Sequence, residues 1–501
     1  MSRKIQLVFF AFFAAYLLLH LITLSYNPLP WFDETYFASI CQSFMEKGSF
    51  VPQVAWHARE GKEALTYGPV YFLLTGLSVK FFGLGIFQFR IVNFLCGLGC
   101  IWICFKILQK KELGISALLF LACFALDPFF NLSMHEGRMD LTATFFALLS
   151  LHFILKDGMK NIIFSSVTAS LSLMTTPRSA LLVAGVVMLM LIKAYKDDQY
   201  RPLIVWGLSF LCLYAVWLFY AFGSPAGYFN YYTALQGNEN GVNHDFLGGR
   251  FYIPRQEYVL IIVAAFSLIY RLIKRQAGFP DQLISVSIAV ILLFYVIVLD
   301  WGPYSALIIP FYYMIVFREE YFSWSFRNPM LYMVAILLTH NLCYSTLKSA
   351  DVLSSANQRN PKIADQFIAD HIPPGSKVVG DALYYYSVKR AGSDYQYFDK
   401  YASPEVRERR HREEYDYDYL ILTEQSLKRD GETVHLYLEN SRLTKIAELH
   451  INPSALNQKI ASLGLISNTE NNGYNASIYA RLKEHQAPPM AADFGLMNKP
   501  H

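Results

Sequence analysis

The chain has 501 residues, 54% of them hydrophobic and only 16% charged, and its mean hydropathy is +0.27. Soluble domains carry about 25% charged residues, so the composition argues against a soluble, disordered or coiled-coil protein. A formal net charge of +4 on this length gives a nucleic-acid partner no support. Six of the seven cysteines lie in apolar stretches and read as small hydrophobes, with no disulfide framework or zinc spacing. Hydrophobicity comes in blocks close to the roughly 20 residues that span a bilayer. The blocks run to residue 346, and the chain then turns polar. The expected fold is an α-helical polytopic membrane protein over residues 1–346, followed by a soluble α/β domain over 347–501.

Residues 5–24 follow the basic start Ser2-Arg3-Lys4. A signal peptide opens the same way. Here the apolar run is long and no A-x-A site follows, so it reads as an uncleaved first span. Further spans are expected at 86–106, 113–130, 140–155, 161–176, 179–195, 203–222, 257–273, 283–300, 303–318 and 329–346. The apolar stretch 70–82 is shorter. Basic loops stay cytoplasmic, and both the N-terminus and the Lys106/Lys110/Lys111 cluster are basic. An even number of spans must separate them, so 70–82 is expected to lie in the membrane interface rather than cross. The basic groups near Lys156, Lys193, Arg271 and Arg318 then fall on the cytoplasmic side. The count is about eleven transmembrane helices in the plasma (inner) membrane. The N-terminus is cytoplasmic, and the first loop 25–85 and the C-terminal domain are external, which is periplasmic in a bacterium.

The external side collects the polar candidates. Asp33 and Glu34 open a segment whose apolar residues Phe37, Ile40, Cys41 and Phe44 recur at helical spacing. That reads as an amphipathic helix on the external surface. Two acids there, beside Trp31 and Tyr36, favour a carbohydrate or phosphate site over Asp33 as a plain N-cap. His57, Arg59 and Lys62 follow in the same loop. Such cations hold anionic headgroups by charge-assisted bonds, or simply meet lipid phosphates. His135, Glu136 and Asp140 sit around the start of a later span. Asp140 alone would also suit the positive end of a helix dipole. Arg178 lies in a very short turn between two apolar blocks and needs either a carboxylate or a substrate phosphate as partner. Asp33, Glu34, His135, Glu136 and Asp140 are the right types for a divalent metal, but no contiguous ligand motif joins them. The metal is left open, and no other cofactor is indicated.

These motifs, taken in order, resemble the C-type superfamily of integral membrane glycosyltransferases. The likeness is greatest to the bacterial branch of lipid A aminoarabinose transferases, related to protein O-mannosyltransferases. Asp33-Glu34-Thr35-Tyr36 resembles the acidic dipeptide of the family's first external loop. Tyr67-Gly68-Pro69 stands where the family has a Lys-Pro-Pro element, with Tyr67 in place of the lysine and Lys62 or Arg59 as substitutes. Phe82-Gly83, Arg90, Asp140, Thr175-Thr176-Pro177-Arg178 and the stretch Tyr304 to Pro310 resemble later family positions. The resemblance covers residues 1–346. It implies transfer of a sugar, with inversion, from a polyprenyl-phosphate-linked donor. The acceptor would be a hydroxyl on an envelope lipid, glycan or protein at the external face. Asp33, Glu34 and Asp140 would be the catalytic acids, with Arg59, Lys62, Tyr67 and Arg178 toward the donor phosphate. His135 and Glu136 are left for acceptor or metal.

In the C-terminal domain a helix is expected over 357–371, and strands over 377–380, 417–423, 443–450 and 478–482. It shows no catalytic constellation, and Asp381 reads as a strand-end turn residue. The competing function is a transporter or flippase for a lipid-linked or anionic solute, which would set charges near the bilayer midplane on broken or repeated helices. Here the acids lie at span ends, and no inverted repeat is evident.

Overall fold

A computed structural model describes residues 3–54, 63–65, 67–108, 115–230, 255–273, 281–297, 303–318, 327–397, 417–429, 434–435, 438, 443–462 and 473–481. Apart from a small sheet, these residues are mostly helical. Every apolar block named above carries a helix. In chain order these begin with α1 (Arg3–Thr23), α2 (Phe32–Lys47), α3 (Pro69–Phe82), α4 (Ile86–Leu108), α5 (Ile115–Ala125) and α6 (Pro128–His135). There follow α7 (Met139–Ile154), α8 (Met159–Leu173), α9 (Ala180–Asp197) and α10 (Arg201–Phe222). The later apolar helices are Tyr258–Ile273, Gln282–Ile297, Ile309–Phe317 and Pro329–Ser354.

Among the described residues, four helical stretches are long and apolar enough to cross a membrane unaided: α4, Pro177–Asp197, α10 and Pro329–Ser354. A fifth results if α5 and α6, bent by 55° at Asp127, form one broken span. Pro128 opens α6 and cannot donate to α5, while the Asp127 side chain caps the new helix by accepting from the Phe130 N–H at 2.8 Å. The last of the four runs past residue 346.

α3 has 14 residues and two distinct faces. Tyr71, Phe72, Thr75 and Gly76 are buried, while Leu73, Leu74, Leu77 and Phe81 form an exposed stripe at helical spacing. The stripe expected on α2 is also apolar, but it faces protein. Phe37, Ile40 and Cys41 pack with Tyr71 and Phe72 of α3 and with Tyr384, Tyr385 and Tyr386 near the C-terminal sheet. This second core is separate from the one that holds the helix bundle together.

The C-terminal sheet has five strands in the order β2-β1-β3-β5-β4. β1 (Lys377–Gly380) pairs in parallel with β2 (Asp394–Tyr397) and β3 (Tyr419–Thr423), and β5 (Ala476–Arg481) pairs antiparallel with β3 and β4 (Leu443–Leu449). Four of the strands lie where the sequence places them. β2 was not anticipated, because only Tyr395 and Tyr397 alternate inward and four residues are too few to show a period. The preceding helix starts at Pro361 rather than 357, with the Asn360 side chain accepting from the Lys362 N–H. Asp381 is the expected turn residue and caps Leu383. The charge-dense stretch 405–416 and the last 15 residues lie outside the described residues.

Candidate active site

The site is built from four segments that are far apart in sequence. The first is the start of α2. Trp31 is its N-cap residue in extended conformation and makes no side-chain capping bond, so Asp33 stands in the first turn without serving as the cap. The second is the turn 136–138 ahead of α7, together with Asp140 in the first turn of that helix. Asn93 of α4 fixes this turn by donating from Nδ2 to the carbonyl of Glu136 at 2.6 Å and to that of Arg138, while accepting from Thr142 Oγ1 at 2.9 Å. Gly137 is required there: a Cβ would strike the ring of Phe89 and lie 2.8 Å from Cγ of Glu34. The third is the turn after α8. Gly68, just before α3, is pressed against the carbonyl of Met174, where any Cβ would overlap it. Tyr67 is thereby brought near Arg178, with its ring 5.2 Å from that of Phe37. The fourth is Tyr304, at the start of the short helical turn Pro303–Leu307.

Arg138 is the centre of the cluster. Its Nε donates to Asp140 Oδ2 at 3.0 Å, and its Nη1 donates to Asp33 Oδ2. The guanidinium carbon also lies 5.3 Å from the Trp31 ring centroid and 5.0 Å from that of Tyr304. Burial opposes the Arg138 charge, but Asp140 and Asp33 more than offset it, and its pKa stands above the ordinary arginine value. Asp33 and Asp140 are thus brought together, 107 positions apart, through one cation. They are not equivalent. The Asp140 side chain is 4% exposed and that of Asp33 34% exposed. Only Asp33 can meet an incoming molecule directly. Asp140 Oδ1 and Thr176 Oγ1 are buried and have no hydrogen-bond partner among the described residues.

Arg178 approaches the same tyrosine from elsewhere, with its guanidinium carbon 3.9 Å from the Tyr304 centroid. Among the described residues it makes no ion pair with a carboxylate. An arginine stays charged at any working pH. Two cations and one phenol ring therefore adjoin an acid that remains open on one side.

The other candidates divide. Glu34 does not join Asp33 at Arg138. It forms a bidentate pair with Arg90, from Nε to Oε1 at 2.9 Å and from Nη2 to Oε2 at 2.7 Å, and both side chains are wholly buried. Arg90 Nη1 also donates to the carbonyls of Leu24 and Pro28, so the pair ties the end of α1 to α2. His135 turns away from the acids. Its Nε2 is 2.6 Å from Nδ1 of His20 on α1, and its Nδ1 bonds the carbonyl of Asn27. Glu136 borders the cluster. Burial, partly offset by Arg138, pushes its carboxyl up to about 7. Arg59 and Lys62, like His57, lie outside the described residues. Among the described residues no three His, Cys, Asp or Glu side chains gather as metal ligands.

Sequence reasoning missed Arg138, the residue that joins the site, although it stands two positions before Asp140. It also missed Arg90 as the partner of Glu34 and Tyr304 as the ring shared by two arginines. The available signal for Arg138 was the cost of leaving a lone arginine at a membrane surface between two acids.

The family of dolichyl-phosphate-mannose-protein mannosyltransferases matches residues 66–220 by its sequence profile. That range holds Tyr67, Arg90, Arg138, Asp140 and Arg178. No curated protein sequence matches the chain. Among solved structures, the chain is similar to ArnT from Cupriavidus metallidurans bound to undecaprenyl phosphate. The two share 13% identity at a TM-score of 0.62, over 97% of this chain and 100% of that one. The apo state of the same protein gives 13% identity and a TM-score of 0.58, over 96% and 98% of the two chains. A weaker likeness, at 12% identity and a TM-score of 0.47, is to the oligosaccharyltransferase AglB from Archaeoglobus fulgidus, over 88% of this chain and 72% of that one. The resemblance to the C-type glycosyltransferases read from the sequence motifs therefore extends to the fold of nearly the whole chain.

Proposed function

We propose that this chain, with its C-type glycosyltransferase fold, is an inverting glycosyltransferase. It takes a sugar from a polyprenyl-phosphate-linked donor at the external face of the plasma membrane. The acceptor is a hydroxyl on an envelope lipid, glycan or protein. The observation that carries this reading is Arg178: a cation over Tyr304, without a carboxylate partner among the described residues, next to the Asp33–Arg138–Asp140 cluster. A lipid phosphate as leaving group needs a cation of this kind. Undecaprenyl phosphate, which the similar ArnT structure binds, is the carrier tested first.

In the reaction, Asp33 accepts the proton of the acceptor hydroxyl. The oxygen attacks the anomeric carbon from the side opposite the phosphate. The bond from that carbon to the phosphate oxygen breaks, and its electron pair leaves with the polyprenyl phosphate, held by Arg178. Arg138 orients Asp33, and Asp140 holds Arg138. Glu34 acts one step back, by fixing α2 through Arg90. Tyr67 is assigned to the donor phosphate, as are Arg59 and Lys62 of the same loop, which lie outside the described residues; Glu136 is assigned to the acceptor side.

The same reading includes eleven spans with a cytoplasmic N-terminus, a membrane domain over 1–346 and an external domain over 347–501. The exposed stripe Leu73, Leu74, Leu77 and Phe81 supports α3 lying in the outer leaflet. The experiment compares envelope glycolipids, glycans and glycoproteins by mass spectrometry with and without the gene. It then offers the purified chain in nanodiscs a set of undecaprenyl-phosphate-linked sugars. Loss of one sugar from one acceptor, reproduced in vitro, is the expected result. A net movement of lipid-linked sugar across the bilayer with no transfer would instead establish the transporter.

A further inference from the structure

The helix that carries Asp33 is gripped by the C-terminal region at its first turn. Tyr386, on the short helix Tyr385–Arg390 that follows β1, donates to Glu34 Oε1 at 3.4 Å, and both groups are buried. Tyr397, the last residue of β2, donates to the Phe32 carbonyl at 3.2 Å and also bonds the Thr35 hydroxyl. Its ring lies 4.8 Å from that of Phe32. Its backbone N–H donates to Val54 of the first loop at 3.3 Å. One step upstream, Arg359 Nη1 donates to Asn27 Oδ1 at 3.0 Å, on the approach to α2. Residues flanking Asp33 on both sides are thus held by side chains from more than 320 positions later in the chain. A domain present only for surface contacts has no need of buried hydroxyls aimed at the first turn of this one helix.

We propose that the C-terminal region is a positioning domain for Asp33, and that Tyr386 and Tyr397 are its positioning residues. The inference rests on the reading of Asp33 as the base. The hydroxyls act on the geometry of the first turn of α2, and through it on where the Asp33 carboxylate stands. They do not touch substrate, so donor affinity is left to Arg178 and Tyr304.

The test uses the full chain in nanodiscs and the variants Tyr386→Phe, Tyr397→Phe and the pair, each of which removes only a hydroxyl. Tyr385→Phe is the control: its hydroxyl donates to Gln42, two turns farther along α2, at 3.0 Å. The expected result is a fall in kcat of about fivefold or more for Tyr386→Phe and Tyr397→Phe, as one hydrogen bond of typical net worth is lost. Binding of undecaprenyl phosphate, used as the probe, should stay within about twofold, and Tyr385→Phe should keep its kcat. In an Asp33→Asn background the tyrosine effect should vanish, since residues acting through a common group do not add. Without any substrate, amide exchange over 32–38 should quicken about tenfold in the pair, while α4 and α7 are unchanged. Unchanged exchange, a wild-type kcat, or an equal loss of kcat and undecaprenyl phosphate binding would each overturn the proposal. A wild-type rate for Asp33→Asn alone would instead sink the reading of Asp33 as the base.

Discussion

The guanidinium carbon of Arg178 lies 3.9 Å from the ring centroid of Tyr304, and that of Arg138 lies 5.0 Å from the same ring. One arginine is neutralised by Asp33 and Asp140; the other has no carboxylate partner among the described residues. Arg178→Ala should therefore weaken undecaprenyl phosphate binding by about tenfold or more, the worth of a charged hydrogen bond, and kcat at saturating donor should fall as well, because the same cation meets the charge that develops on the departing phosphate. Arg178→Lys keeps a point charge but loses the planar fork, so its affinity should fall in between. Titration of purified protein with undecaprenyl phosphate checks both. An affinity equal to wild type in Arg178→Ala would remove this residue from the donor site.

Asp33→Asn should lower transfer by at least about a hundredfold, the usual worth of a positioned base. Folding should be nearly unaffected. Asp33 is not the N-cap of α2, its side chain is partly exposed, and Arg138 keeps Asp140 as a partner. Turnover and thermal stability measured on one preparation separate the two effects.

Glu34→Gln should act on folding. The substitution leaves Arg90 buried, charged and without its carboxylate, and breaking one partner of such a pair costs about 3–5 kcal/mol. Reduced yield and an earlier loss of the monodisperse peak on heating are expected. A normally stable Glu34→Gln that binds donor but does not turn over would move Glu34 into the chemistry.

Glu136 predicts a pH dependence. Burial raises its carboxyl from the ordinary 4.5 to about 7 in the folded chain. Between these values the folded state holds a proton that the unfolded state has released, so stability falls as pH rises through this window. The contribution is fully present below about 4.5 and lost above about 7. Glu136→Gln should flatten the decline of thermal stability between pH 5 and pH 7, by about the share this one group contributes. Parallel curves for wild type and variant would mean that Glu136 is already ionised in the folded chain.

Hydrophobic blocks and basic loops were enough to foresee the helices, because a bilayer demands long apolar runs and local sequence supplies them. The same patterns separated α3 from the longer helices and placed Asp33, Asp140 and Arg178 on one side. Strand signals found four of five strands; the short β2 had too few residues to show its period. Pairing was decided only by the tertiary structure. Asp33 and Glu34 are adjacent in sequence, yet a helix turns successive side chains about 100° apart, so one meets Arg138 and the other Arg90. Sequence places them in one motif; packing gives one an exposed edge and buries the other completely. His135 and Asp140 stand five positions apart, but His135 faces α1 while the turn held by Asn93 sends Arg138 and Asp140 toward α2. The grip of Tyr386 and Tyr397 on α2 spans more than 350 positions. No local period encodes such a contact, because it exists only once surfaces far apart in the chain share a core.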